Sequence, residues 1–123
     1  MKIDTALVKL LMEMGFLSTN TGHLIEAERI FDAVARARPT SGYPRIGLGC
    51  VAIGYGNFAE AVEILRKAPA DDRQERELCQ GFLGLALKLG GDEDECRNIL
   101  TQLQEEGENE VAVLMAGKLL AKM

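Results

Sequence analysis

The side chains that could perform thiol or metal chemistry are few and widely spaced. The 123 residues include three cysteines, Cys50, Cys79 and Cys96, and one histidine, His23. The cysteines form no C-x-x-C pair, and a zinc site needs about four ligands at characteristic spacings. We therefore expect no metal site and no disulfide framework. An odd number of cysteines favours reduced thiols, which are typical of a cytoplasmic protein.

An acidic run, Asp92-Glu93-Asp94-Glu95, is the other candidate ligand set. It lacks the alternating ligands and the glycine of a calcium loop. Acidic residues at the start of a helix complement the helix dipole, which is the simpler interpretation. The sequence also shows no nucleophile–base pair and no phosphate-binding loop. We expect neither an enzyme nor a cofactor.

The composition is that of a globular protein, with 47% hydrophobic and 27% charged residues. The net charge is −5 and no basic run is present, which argues against a nucleic-acid surface. The apolar stretches are too short to span a membrane, and residues 1–7 do not resemble a secretory signal. The length fits a single domain over residues 1–123.

The chain repeats itself at an offset of 34 residues. Four residues of the first copy recur in the second, and a third copy follows one residue late: Gly15, Gly22, Glu26 and Ala27; Gly49, Gly56, Glu60 and Ala61; Gly84, Gly91, Glu95 and Cys96. A fixed period of this length indicates stacked units of two helices each. The predicted repeats cover residues 8–41, 42–75 and 77–110.

The spacing of apolar residues predicts seven helices and no strand. In the first helix, the stripe consists of Ile3, Leu7, Leu10, Leu11 and Met14. The predicted helices are residues 3–17, 23–38, 42–55, 58–68, 73–89, 93–105 and a closing helix at 110–122. Residues 18–22 are predicted to form a turn, and Ser41 is predicted to cap the third helix.

These features resemble tetratricopeptide repeats over nearly the whole chain. The first repeat has the small residues Gly15 and Ala27, the aromatic Phe31 and the terminal Pro39. The later repeats have matching residues: Leu48-Gly49, Gly56, Ala61 and Leu65; Leu83-Gly84, Gly91, Cys96 and Leu100. The family's early aromatic is replaced by Leu11 and Arg45. The resemblance implies an all-α, right-handed α-solenoid of three helical hairpins with a C-terminal capping helix.

Within this class, the size, acidity and repeat number resemble the small chaperones of bacterial type III secretion systems. That resemblance implies a cytoplasmic, virulence-associated protein that holds a needle or translocator subunit before export. A small co-chaperone and a homodimer are partners that the resemblance leaves open. The competing hypothesis is a generic scaffold or adaptor that joins folded proteins without sequestering a client.

In such repeats the first helix of each hairpin lines a concave groove. The residues predicted to line it, called the candidate groove below, are Met12, Phe16, Tyr43, Ile46, Cys50, Ile53, Leu78, Leu85 and Leu89. Phe16, Gly47 and Cys50 occupy places where the family's peptide-carboxylate clamp has polar or basic groups. An apolar groove instead suits an amphipathic or hydrophobic helix. The alternative is that several of these side chains face the core, since burial is the usual fate of apolar residues.

The glycines of the third predicted helix allow two interpretations. Gly47, Gly49 and Gly54 each destabilise a helix relative to alanine, by up to about 1 kcal/mol. They could admit the close approach of a bound helix, or they could permit tight packing between the protein's own helices.

Overall fold

The computed structural model describes residues 4–69 and 71–123, which form seven α-helices and contain no strand. This confirms the all-α prediction for the part described; Ile3 and Ala70 lie outside it. The helices are α1 (Thr5–Asn20), α2 (Leu24–Ala37), α3 (Tyr43–Gly54), α4 (Phe58–Arg66), α5 (Arg73–Leu89), α6 (Glu93–Glu106) and α7 (Glu110–Leu120).

The helices pack in two distinct ways. Each helix contacts the next one along the chain, and α1, α3, α5 and α7 also contact one another in a row. Within the described ranges, α2, α4 and α6 make no comparable contacts with each other. The odd-numbered helices therefore form a continuous layer, while the even-numbered helices each cover it separately.

One glycine in each of the first three odd-numbered helices lies directly beneath a large side chain. A Cβ atom at Gly15 would lie 2.6 Å from Phe31 Cε1, one at Gly49 would lie 2.9 Å from Leu65 Cγ, and one at Gly84 would lie 2.5 Å from Leu100 Cδ2. We call Gly15, Gly49 and Gly84 the crossing glycines. Each large partner follows its crossing glycine by sixteen residues. The glycines thus allow the two helices of a hairpin to approach closely.

The remaining glycines of α3 also serve internal packing. A Cβ atom at Gly47 would overlap the Phe31 ring, and one at Gly54 would lie 3.0 Å from Leu24 Cδ2. Of the two interpretations of these glycines, the structure therefore supports close packing between the protein's own helices.

The turn inside each hairpin uses a glycine in the left-handed region. Gly22, Gly56 and Gly91 have φ angles of +83°, +80° and +90°. A side chain at such an angle is strained, so glycine is favoured there. Gly22 lies in the predicted turn, and Gly56 and Gly91 lie between predicted helices.

The end of α1 differs from the sequence prediction. Residues 18–20 were predicted to belong to a turn, but they are helical up to Asn20. The Thr19 hydroxyl donates to the Gly15 carbonyl oxygen at 2.9 Å, and the Thr21 hydroxyl donates to the Leu17 carbonyl oxygen at the same distance. Both hydroxyls thus bond back to carbonyl groups one turn earlier, a pattern that is compatible with continued helix, and residues 18–20 remain helical.

The predicted cap of α3 is also wrong. The N-cap residue is Gly42, and the Ser41 hydroxyl donates to Glu75 Oε1 at 2.7 Å. The Gly42 N–H donates to the same oxygen at 3.0 Å. A carboxylate on α5 thus fixes the connection between the first and second hairpins. The sequence does not reveal this bond because its two sides are 33 and 34 residues apart.

A second carboxylate on α5 fixes the connection between α6 and α7. Glu77 Oε1 accepts the N–H groups of Glu108 at 2.7 Å and of Asn109 at 2.8 Å, and Arg73 Nε lies 2.8 Å from Glu77 Oε2. The Glu77 side chain is only 6% exposed. The hydrogen bond from Asn109, helped by those from Arg73 and Glu108, lowers the pKa of Glu77 against the opposing effect of burial.

Two clusters of buried apolar residues form the core. The smaller one joins Ala27, Phe31 and Val51. The larger one extends from Ile46 in α3 to Ala116 in α7. Ala27 and Ala61, the small residues that recur in the first two repeats, are completely buried.

Replacing Ala61 by leucine should destabilise the fold. The added atoms have no space at a position with zero exposure, and overpacking of this kind costs about 1–3 kcal/mol. Chemical denaturation measures the effect. Ala59→Leu, at an exposed position of the same helix, is the matched control and should change the midpoint little. Equal midpoints for the two variants would contradict the packing described here.

The Glu77 carboxylate should make the stability depend on acidic pH. Because its pKa is lowered in the folded state, its stabilising effect is complete above the ordinary glutamate pKa of about 4.3 and is lost as the pH falls through the folded value. Glu77→Gln should cost about 1–3 kcal/mol at neutral pH, since buried N–H groups lose their charged acceptor. The variant should also show a weaker loss of stability between neutral and acidic pH. A pH dependence identical to that of the wild type would refute this role.

Candidate functional site

The candidate groove follows a common register on the odd-numbered helices. The groove residues of each helix lie six or three residues before the crossing glycine of that helix, or one, four or five residues after it. Residues at these spacings share one face of a helix. Because α1, α3 and α5 contact one another in a row, these faces are neighbours.

The first part of the candidate groove contains an apolar pocket of about 470 Å³. Met12, Phe16 and Tyr43 line it together, so the structure brings these three predicted residues to one place. The rest of its lining is Thr5, Val8, Lys9, Val34, Arg38, Ser41 and Pro44. The Phe16 ring also contacts the Phe31 ring edge-on, with centroids 4.9 Å apart, and this contact fixes the position of Phe16 in the pocket lining.

The other predicted residues differ in exposure. Ile46 is only 3% exposed and belongs to the larger core cluster, so its side chain forms part of the interior. Cys50, Ile53 and Leu78 are half-buried against that cluster. In α5, Leu85 is half-buried, whereas Leu89 is 46% exposed.

Two further residues on α7 occupy the same register. Val111 and Leu114 are each 58% exposed. They precede Gly117 by six and three residues, as Tyr43 and Ile46 precede Gly49. Since α7 contacts α5, this extends the apolar surface by one helix. Val111 and Leu114 could have been predicted from the sequence, because Gly117 follows Gly84 at nearly the repeat spacing.

The two titratable members of the candidate groove carry no charge near neutral pH. Burial raises the pKa of the Cys50 thiol to about 11, so the reactive thiolate is scarce near neutral pH. Burial also raises the pKa of Tyr43, with smaller contributions from Glu75 and Asp72. Both groups therefore remain neutral at physiological pH and add to the apolar character of the face.

The residues considered for metal or thiol chemistry lie apart. His23 is exposed, and its Nδ1 atom lies 2.8 Å from the Thr21 hydroxyl. Cys79 and Cys96 are buried and unpaired. Over residues 4–69 and 71–123, no three His, Cys, Asp or Glu side chains are grouped so that they could hold a metal ion. No helix in the same ranges has the length and apolar character needed to cross a membrane.

The sequence matches a known protein family. The model of a family described as "Bacterial type III secretion protein (HrpB1_HrpK)" matches residues 1–122. None of the curated proteins matches the sequence.

The raised pKa of Cys50 predicts slow alkylation. In the native protein, iodoacetamide should modify Cys50 far more slowly than a free cysteine at pH 8, and the rate should rise about tenfold per pH unit as the thiolate forms. Mass spectrometry of the labelled protein measures the rate, and Cys50→Ser identifies the site. Labelling of Cys50 at pH 7.5 as fast as that of a free thiol would contradict the burial described.

Proposed function

The chain belongs to the family of bacterial type III secretion proteins (HrpB1_HrpK), and we propose that it binds a helical or hydrophobic segment of another protein of that system in the candidate groove. The observation that carries this proposal is the apolar pocket around Met12, Phe16 and Tyr43. The proposal is one of binding, without catalysis or a cofactor.

The proposal includes a tetratricopeptide-like, right-handed α-solenoid of three hairpins and a closing helix. Two observations support it. The odd-numbered helices pack against one another, whereas in the described ranges the even-numbered ones do not, although an ion pair between Arg66 and Glu95 links α4 to α6. A stack with this asymmetry curves toward the closely packed layer. The recurrence of the crossing glycines at similar intervals further supports a repeated unit. In this arrangement the candidate groove lies on the concave side.

The kind of ligand follows from the surface. The pocket is mostly apolar, with Lys9 and Arg38 among its lining residues, and Tyr43, Val111 and Leu114 present exposed apolar area along the same register. An amphipathic helix binds such a groove through apolar residues spaced three and four apart. The polar face of the bound helix would remain in water. A needle or translocator subunit of the secretion system is the client that we propose.

Two forms of this binding function have different consequences. A chaperone sequesters its client before export and therefore acts in the cytoplasm, where a small co-chaperone could join it. The unpaired thiols of Cys50, Cys79 and Cys96 are consistent with a reducing compartment. A scaffold joins folded proteins, shields no client and carries no such restriction on its location.

Co-expression and cell fractionation distinguish the two forms. If the protein is a chaperone, a needle or translocator subunit should be soluble only together with this chain, and the complex should be found in the cytoplasmic fraction. Recovery of the chain in the envelope or periplasmic fraction, with folded proteins bound, would exclude sequestration before export and favour the scaffold.

Variants of exposed groove residues test the binding site. Tyr43→Ala and Leu114→Ala should each weaken the binding of a purified needle or translocator subunit by about 2 kcal/mol if the residue is an anchor, because the desolvated contact is lost. Folding should change less, since both side chains are about half exposed in the free protein. Calorimetric titration measures the affinity.

The matched control is Glu105→Ala, an exposed position on α6. An exposed charge contributes little to stability, and Glu105 lies outside the candidate groove. This variant should therefore bind like the wild type. Ile46 is unsuitable as a binding probe, because a substitution at a 3% exposed core position would change folding first. Equal affinities for Tyr43→Ala, Leu114→Ala and Glu105→Ala would remove the candidate groove from the mechanism.

A further inference from the structure

We propose that the segment bound in the candidate groove is an acidic amphipathic helix, whose apolar face fills the groove and whose carboxylates contact Lys9 at one end and Lys118 at the other. This inference rests on the proposed function and names the chemistry of its ligand. Three observations support it: the sign of the charges in the groove register, the places of these two lysines in the row of helices, and the apolar surface between them.

The register that defines the candidate groove holds charges of only one sign. The positions concerned lie six and three residues before a crossing glycine or Gly117, and one, four and five residues after it. Their charged residues are Lys9, Lys88 and Lys118 on the helices and Lys122 just after α7. The whole chain has 14 basic and 19 acidic side chains, so a register with lysines and no carboxylate runs against its composition.

The charges also divide between the two kinds of helix. α2, α4 and α6 together carry ten acidic and four basic side chains, whereas α1, α3, α5 and α7 carry four acidic and six basic ones. Glu75 and Asp72, whose charges reach Tyr43, both accept hydrogen bonds from the chain itself. The layer that carries the groove is therefore positive relative to the rest of an acidic protein.

Lys9 and Lys118 are exposed on the first and last helices of the row. Neither forms an ion pair within the part of the chain that the structure describes. Lys9 lines the apolar pocket, and Lys118 follows Gly117 directly, at the register position that Phe16 has on α1. A lysine in the last turn of a helix complements the helix dipole, which accounts for a cation at the end of α7. The dipole does not account for Lys9, which lies in the second turn of α1.

The separation of the two lysines sets the length of the ligand. Packed helices lie about 8–10 Å apart, so three steps from α1 to α7 span about 24–30 Å. A helix rises about 1.5 Å per residue, and about 16–20 residues cover this distance. Between the lysines, Cys50, Leu78 and Leu85 present half-buried apolar side chains. A segment of this length, apolar in the middle and acidic near both ends, complements the groove in shape and in charge.

The same lysines are poorly placed for nucleic acid. A surface that binds phosphates carries basic residues in a cluster or stripe, whereas Lys9 and Lys118 are separated by an apolar surface. The net charge of −5 also repels a polyanion. The carboxylates of a protein helix are therefore the better partners.

The association kinetics of a purified needle or translocator subunit test the inference. Lys9→Glu and Lys118→Glu should each slow association about fivefold and change dissociation less, because attraction between opposite charges at the edge of an interface acts mainly on the association rate. High salt should slow the wild type in the same way, since it screens these charges. Both positions are exposed, so the melting temperature should stay close to that of the wild type. If Lys118→Glu lowers it by disturbing the end of α7, Lys9→Glu provides the test.

Lys67→Glu is the matched control. Lys67 is the exposed C-cap residue of α4, and its replacement changes the net charge by the same amount. Its ion pair with Glu63 is exposed, so losing it costs little. This variant should associate at nearly the rate of the wild type. Association slowed equally in Lys67→Glu and the two groove variants would reflect net charge alone and would overturn the proposal.

The remaining outcomes separate the acidic ligand from the groove itself. Unchanged association of Lys9→Glu and Lys118→Glu, with binding still weakened by Tyr43→Ala and Leu114→Ala, would overturn the acidic ligand and leave the proposed groove in place. Wild-type affinity for Tyr43→Ala and Leu114→Ala would overturn both. A single-stranded DNA of about 20 nucleotides should not displace the bound subunit, and displacement would assign the lysines to nucleic acid instead.

Discussion

The close approach of two helices over a glycine is the constraint on which the rest of this structure depends. Phe31, Leu65 and Leu100 each lie against a backbone position that has no room for a Cβ atom. Each of these side chains is almost completely buried, so the contact locks the two helices of a hairpin in one register. Rotation of one helix about its axis would move the large side chain away from the glycine that leaves room for it. The fixed register then determines which side chains of each odd-numbered helix lie on the face that adjoins its neighbours in the row.

The two carboxylates of α5 add a second level of order. Glu75 binds the connection before α3, and Glu77 binds the connection before α7. The helix in the middle of the chain thereby positions the start of the helix on either side of it. This explains how α7 retains a defined place in the row, although a Cβ atom at Gly117 would meet Gln104 Nε2 at 3.3 Å and not a large apolar side chain.

The sequence predicts the helices well because residues that favour turns separate them. The left-handed glycines Gly22, Gly56 and Gly91 mark the turns, and the start and end of α5 agree with the prediction. The sequence could not show the bond between Ser41 and Glu75, which joins residues distant along the chain. It also could not show that Ile46 is buried. The apolar residues of α3 occur on all sides of the helix, so their spacing does not distinguish the groove side from the core side. Val111 and Leu114, by contrast, could have been found from the position of Gly117.

The central claim is that this register creates one binding face for a helix, and methyl NMR tests it most directly. The protein would be labelled at the methyl groups of Ile, Leu, Val and Met and titrated with a purified needle or translocator subunit. The account predicts that the signals of Met12, Ile53, Val111 and Leu114 shift together as the partner binds, while those of Ile25 on α2 and Ile99 on α6 remain in place. Shifts confined to Ile25 or Ile99, with the four groove signals unchanged, would contradict it.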